Sequence, residues 1–236
     1  TIWVERKGWP EARKYTLTRQ RIKIESVESH LLDKSIGYVK IKNFQQNTGR
    51  DLDEHIEKLE KKSKGTLKGL VLDLRNNPGG LLDQAIRVSD KFLKSGDIVT
   101  TVGMGNRLRE PKRAKWSPSD LDLPLIVLVN NGSASASEIV AGALQNLDRA
   151  VIMGQRTFGK GSVQVLYDFA DKSALKLTIA QYLTPGDISI QSVGVAPDIG
   201  LVPAWIDKKG IRLYYKPKRH REKNLDKHLD QSKVAS

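Results

Sequence analysis

Hydrophobic and polar positions alternate from Ile2 to Ile24 in a stretch rich in Thr, Val, Tyr and Ile, broken at Gly8-Trp9-Pro10, and this predicts two extended segments around a turn. Alternation returns at Ile36–Phe44, where Val39 and Ile41 face one way and Lys40 and Lys42 the other. Leu52, Ile56 and Leu59 then fall on one face of a short charged helix that ends near Lys61–Lys64. Two nearly unbroken apolar runs, Gly69–Leu74 and Leu123–Val129, have the length and composition of strands covered on both faces. Helical spacing follows each of them: Leu82, Ala85, Ile86 and Phe92 within Leu81–Lys94, closed by Gly96, and a small-residue run from Ser135 to Gln145. Ala150–Met153 reads as a further short strand, and Ser162–Phe169 with Ala174–Leu183 as a hairpin on the same body.

Strand, loop and helix repeated in this order predict an α/β domain with a largely parallel central sheet. In such sheets, sites form where loops leave the carboxyl ends of the strands. The two most unusual loops lie there: Asn76-Asn-Pro-Gly-Gly80, built for tight or positive-φ turns, and Asn130–Ser135.

The 236 residues are 39% hydrophobic and 28% charged, which fits a globular chain with a real core, and no apolar run approaches the length of a membrane span. Because the chain starts on Thr1 in the middle of an alternating stretch, it reads as a piece of a longer protein. The absence of cysteine excludes disulfides, thiolate metal sites and cysteine nucleophiles. The net charge of +13 raises the question of nucleic acid, but much of the excess sits at one end: Pro203–Ser236 carries ten Lys/Arg against four Asp/Glu. Without a nucleic-acid module beside it, this stretch reads as a basic extension, either solvated or touching anionic envelope polymers, and no nucleic-acid partner is expected.

Asn130-Asn-Gly-Ser-Ala-Ser-Ala-Ser-Glu138 carries the first chemical signal. A serine on the turn between a buried strand and a helix has its hydroxyl pushed clear of the sheet, and the helix N-terminus supplies backbone donors for an oxyanion. Ser135-Ala-Ser-Glu138 also matches the capping box S-x-x-E, so an N-cap role stands beside the nucleophile reading. Of the four histidines, His55 sits on the polar side of a charged helix, His220 and His228 in the basic tail, and His30 before Leu31-Leu32 near a turn; none stands beside an obvious acid in a promising loop, which leaves a Ser-His-Asp triad poorly supported. A lysine base must be neutral and hence desolvated. Lys160, between two glycines in Thr157-Phe-Gly-Lys-Gly-Ser162, is the unusual lysine, although a solvated loop residue would look the same locally; the stretch departs from the phosphate-binding G-x-x-x-x-G-K-[ST] pattern.

Three blocks in order resemble the C-terminal processing peptidase (tail-specific protease) family: Val71–Gly80, Gly132–Glu138 and Thr157–Gln164, with 25 residues from Ser135 to Lys160. Gly194-Val-Ala-Pro-Asp-Ile199 resembles the segment that closes the family's catalytic domain, so the likeness covers roughly residues 20–200. The resemblance implies a ClpP/crotonase-like catalytic core over residues 23–202, the end of a PDZ domain over 1–22, and a basic extension over 203–236. It implies a serine endopeptidase with Ser135 as nucleophile, Lys160 as base and Gln164 holding the lysine amine, Ser133 and Ser137 being bystanders. The oxyanion donors would be the N–H of Ala136 and of a glycine in the turn, Gly80 rather than Gly79. No metal or cofactor is implied. Expected partners are proteins or peptides with accessible C-termini, with an oligomer allowed, in an extracytoplasmic setting. An inactive binding module on the same fold, or a basic envelope-associated module, is the competing reading.

Overall fold

A computed structural model describes residues 1–20, 25–103, 105, 108–202, 204–207, 210–213 and 221–225. Its elements are β1 (Ile2–Val4), β2 (Arg13–Tyr15), β3 (Val27–Leu31), β4 (Ile36–Ile41), α1 (Thr48–Lys62), β5 (Gly69–Asp73), α2 (Leu82–Asp90), β6 (Asp97–Gly103), β7 (Arg109–Arg113), β8 (Leu125–Val129), α3 (Ala136–Asn146), β9 (Val151–Gly154), β10 (Ser162–Asp168), β11 (Ala174–Thr184), β12 (Ile188–Ser189), β13 (Ile199–Gly200), β14 (Ala204–Asp207) and β15 (Gly210–Leu213). Ile22 and Ile24, the end of the first alternating stretch, lie outside the described residues, as do residues 203, 208–209, 214–220 and 226–236 of the basic extension.

The central sheet runs β13-β9-β8-β5-β4-β3, with every neighbouring pair parallel except β4 and β3. Leu72, Val127 and Ile152, from three of its four inner strands, are all 0% exposed, as strands covered on both faces require. On β4 the alternation holds: Val39 and Ile41 are buried while Lys40 lies on the more open face. α1 buries Leu52, Ile56 and Leu59 as expected but starts a turn earlier than this stripe. There Thr48, itself buried, accepts the Gln45 N–H through Oγ1 and donates to Ser26 Oγ, giving the helix a polar start the apolar pattern does not reveal. α2 ends at Asp90, four residues short of the spacing signal, because Phe92 and Leu93 turn tightly onto Ser89 and Asp90 and are buried there outside the helix.

The hairpin β10–β11 is present, but it belongs to a second, antiparallel sheet, β10-β11-β6-β7, with β12 paired to β11. α3 lies between the two sheets, touching β9 on one side and β6 and β11 on the other, so Ala136 to Leu144 are buried on every side of the helix. The N-terminal segments pair as the two-stranded β1–β2 unit, with the Arg13 guanidinium over Trp9 at 4.4 Å. No helix among the described residues is long and apolar enough to cross a membrane.

Candidate active site

Because β5, β8 and β9 are adjacent and parallel, the chain leaves all three at the same edge of the sheet. The loops that follow are Asn76–Gly80, Asn130–Ser135 and Gln155–Gly161, which are the three blocks singled out in the sequence. Hydrogen bonds lock them together. Ala134 N–H and Ser137 Oγ both donate to Asn77 O, Asn130 Nδ2 donates to Asn76 Oδ1, and Phe158 N–H donates to Ser133 O. Asn77 is fully buried and its Nδ2 reaches back to Ile41 O, so the glycine turn is pinned to β4 as well.

The three serines of the run have different lives. Ser133 and Ser137 are 0% exposed, and their hydroxyls are consumed by the carbonyls of Leu74 and Asn77. Ser135 is partly exposed, and among the described residues its hydroxyl donates to no acceptor. Its backbone sits at φ 55 and ψ −114, a conformation that costs a residue with a Cβ about 1–3 kcal/mol and concentrates at functional turns. This is the strained strand-to-helix corner that a nucleophile needs in order to stand clear of the sheet, reached without a G-x-S-x-G pattern.

The capping-box expectation is met and leads further. Glu138 accepts the Ser135 N–H at 2.9 Å through Oε2, as a capping box requires. The same oxygen accepts the Lys160 N–H at 2.8 Å, while Oε1 accepts Gly159 N–H at 2.7 Å and the Thr157 hydroxyl. One buried carboxylate therefore holds the backbones of Ser135 and Lys160, whose nitrogens can be no further apart than its two bonds allow. Burial pushes the Glu138 carboxyl above the ordinary range, and the four donors, from Thr157, Lys160, Ser135 and Gly159, pull it back. Sequence reasoning saw Glu138 only as a local cap, because its other partners lie 19 to 22 residues away.

A direct consequence concerns Glu138→Gln. An amide has one acceptor oxygen, so its NH2 strands the N–H groups of Ser135 and Lys160 in one orientation and that of Gly159 in the other, where the Thr157 hydroxyl can turn to accept. We expect about 2–4 kcal/mol of lost stability by urea titration. Wild-type stability in the Gln variant would mean the carboxylate holds neither loop.

At the glycine turn the two candidates separate. Gly79 (φ 99) lies against the serine: a Cβ placed on it would sit 2.9 Å from Ser135 Cβ and 3.0 Å from Ala136 N. Its N–H, however, is already given to Asn77 Oδ1 at 2.9 Å, and its carbonyl accepts Phe44 N–H. Gly80 (φ 145) runs beside Phe44, where a Cβ would meet the Phe44 carbonyl oxygen at 2.2 Å, so no other residue fits. Among the described residues no acceptor takes the N–H of Gly80 or of Ala136, the two donors expected for an oxyanion.

Lys160 is half-buried, and among the described residues no carboxylate lies within ion-pair distance of its ammonium. No hydrogen bond joins its Nζ to Ser135 Oγ or to Gln164 among the described residues; Gln164, exposed at a bulge on β10, instead donates from Nε2 to Thr178 Oγ1 at 3.3 Å. The structure thus brings together Ser135, Ala136, Gly79, Gly80 and the Lys160 backbone, and leaves the Gln164 side chain turned across its hairpin. His55 of α1 bonds Ser29 Oγ through Nδ1 at 2.7 Å, but Ser29 lies on edge strand β3, three strands from β8, and His30 packs against Tyr38. Beneath the glycine turn, buried Asp73 accepts a bidentate bond from Arg75 and one from the Tyr38 hydroxyl. Burial opposes ionisation of Asp73, but these donors win and hold it below the ordinary value of 3.8, so its contribution to stability persists above that pH and is lost as acid titrates it below. Burial and the same carboxylate push Tyr38 up to about 12.

The peptidase family S41 profile matches residues 35–201. The carboxy-terminal-processing protease of Bartonella bacilliformis is 45% identical over 202 residues, covering 84% of this chain and 46% of the relative. The carboxyl-terminal-processing protease of a Synechocystis strain is 40% identical over 195 residues, covering 81% of this chain and 44% of the relative. Among solved structures, a photosystem II D1 C-terminal processing protease superposes with a TM-score of 0.69 at 36% identity, covering 81% of this chain and 52% of that one. The chain spans less than half the length of these two curated relatives.

Proposed function

The chain belongs to peptidase family S41, and from that membership we propose that it is a serine endopeptidase acting through a dyad of Ser135 and Lys160. The observation that carries the reading is the shared Glu138 oxygen, which seats the backbones of both residues side by side on converging loops. Neutral Lys160 takes the Ser135 proton as Oγ attacks the scissile carbonyl, and the charge developing on oxygen is met by the N–H groups of Ala136 and Gly80. Each such donor contributes about 3–4 kcal/mol to the transition state. The lysine ammonium then protonates the leaving amine, and water activated by the same amine releases the acyl group. Gln164 leaves Thr178 to hold the lysine amine in the working site.

The substrates proposed are protein chains selected by accessible C-terminal tails, in an extracytoplasmic setting, because the relatives matched carry C-terminal processing in their names. Residues 1–22 are assigned to the end of a PDZ domain that tethers the tail, residues 23–202 to the catalytic core and residues 203–236 to a basic extension. The test is a fluorophosphonate probe followed by peptide mapping, alongside cleavage of an unfolded test protein. Labelling confined to Ser135 and cleavage that the label blocks are expected. A folded chain that neither labels nor cleaves would instead be the inactive binding module or the basic envelope module.

A further inference from the structure

The Lys160 loop is held on one side by Glu138 and on the other by the loop at residues 190–195. Ser192 N–H donates to Gly159 O, Gly161 N–H to Gln191 Oε1, and Thr157 and Val195 exchange bonds. A third element closes over both loops, and it comes from the basic extension beyond the family match. Glu222 N–H donates to Phe158 O at 3.1 Å, and Arg221 Nη2 donates to Val193 O at 2.5 Å and, more weakly, to Ser192 O at 3.4 Å. A short 3-10 turn, Glu222–Asn224, fixes the geometry through Asn224 N–H to Arg221 O.

We propose that Arg221 and Glu222 form a staple that positions Lys160, so that this part of the C-terminal extension belongs to the catalytic framework. The argument is one of distance along the chain. Phe158 is two residues from Lys160, and the carbonyls Arg221 binds sit on the loop that bonds Gly159, so the staple joins the two walls of the seat at the base. A loop with glycines on both sides of the lysine has many backbone conformations open to it, and bonds from outside remove them. Displacement of a reacting group by about 1 Å costs on the order of 100-fold in rate, so loss of a staple at this distance is expected to be read in turnover. Arg221 touches neither nucleophile nor base, and its role is positioning.

The inference rests on the peptidase reading, and two variants test it in the full chain. Arg221→Ala removes the guanidinium. Glu222→Pro removes the N–H given to Phe158 together with the half-buried Glu222 side chain, for which Glu222→Ala is the control, and it suits the backbone, because Arg221 at φ −143 and ψ 154 already has the extended geometry a residue before proline adopts. Each should lower kcat and the rate of fluorophosphonate labelling by about ten- to 100-fold while KM changes less than about twofold, and Arg221→Lys should restore part of the loss. Hydrogen exchange reads the staple without any turnover: the amides of residues 157–161 should exchange faster in both variants while those of β5 do not change. Unchanged exchange at 157–161 overturns the proposal whether or not the wild type is active. Increased kcat in either variant also overturns it, since the segment would then be a restraint on the site. A wild type that neither labels nor cleaves sinks the peptidase reading alone, and the exchange comparison still decides the staple.

Discussion

Ser135→Ala is expected to lose at least about 10^4-fold in turnover of an unfolded protein substrate, because removing an acyl-transfer nucleophile leaves only binding and the oxyanion donors. The neighbouring serines supply the control. Ser133→Ala and Ser137→Ala take away buried hydroxyls bonded to Leu74 O and Asn77 O, so they should cost about 1–3 kcal/mol of stability and leave turnover of the folded fraction largely intact. The strained corner adds a second signature. Ser135→Gly removes the Cβ that makes φ 55 costly, so it should be as inactive as Ser135→Ala yet more stable than that variant by about 1 kcal/mol in urea. A purely capping Ser135 gives another pattern: a shift of about 1 kcal/mol in the Ala variant and unaltered kinetics. Full cleavage by Ser135→Ala, or loss of cleavage specific to Ser133→Ala, would remove Ser135 from the mechanism.

The second large effect concerns Lys160→Arg, expected to be as inactive as Lys160→Ala. The guanidinium keeps the charge at neutral pH but cannot release its proton, so it cannot accept one from a serine. An electrostatic anchor would tolerate Arg and a base would not. Substituting His30, His55, His220 or His228 should leave turnover largely intact, because the proposed dyad uses no imidazole. The dyad fails if Lys160→Arg works within about tenfold of wild type, since a group that is always protonated would then suffice. It also fails if a single histidine variant abolishes turnover, which would put the base on an imidazole.

Much of this protein was legible without coordinates because the information is local. Buried parallel strands must be apolar on both faces, so β5 and β8 announce themselves, and the α1 stripe at Leu52, Ile56 and Leu59 declares a helix with one buried face. The Asn76–Gly80, Ser133–Glu138 and Thr157–Lys160 loops stand out because glycine and small residues are placed where backbone must approach backbone, as the contacts around Gly79 and Gly80 bear out. What tertiary structure alone decided depends on partners far along the chain. β6 and β7 were invisible: Arg109–Arg113 is exposed throughout and contains Pro111, and only pairing of β6 with β11 makes the second sheet. That sheet explains why α3 is buried all round from Ala136 to Leu144, Ser137 and Glu138 included. Strand order sets β9, β8 and β5 side by side, which turns three separate motifs into one site. The capping glutamate became a clamp, Gln164 faced Thr178, and Arg221 of an apparently solvated tail closed over the lysine loop, because a hydrogen bond depends on where its partner sits and a local pattern carries no such coordinate.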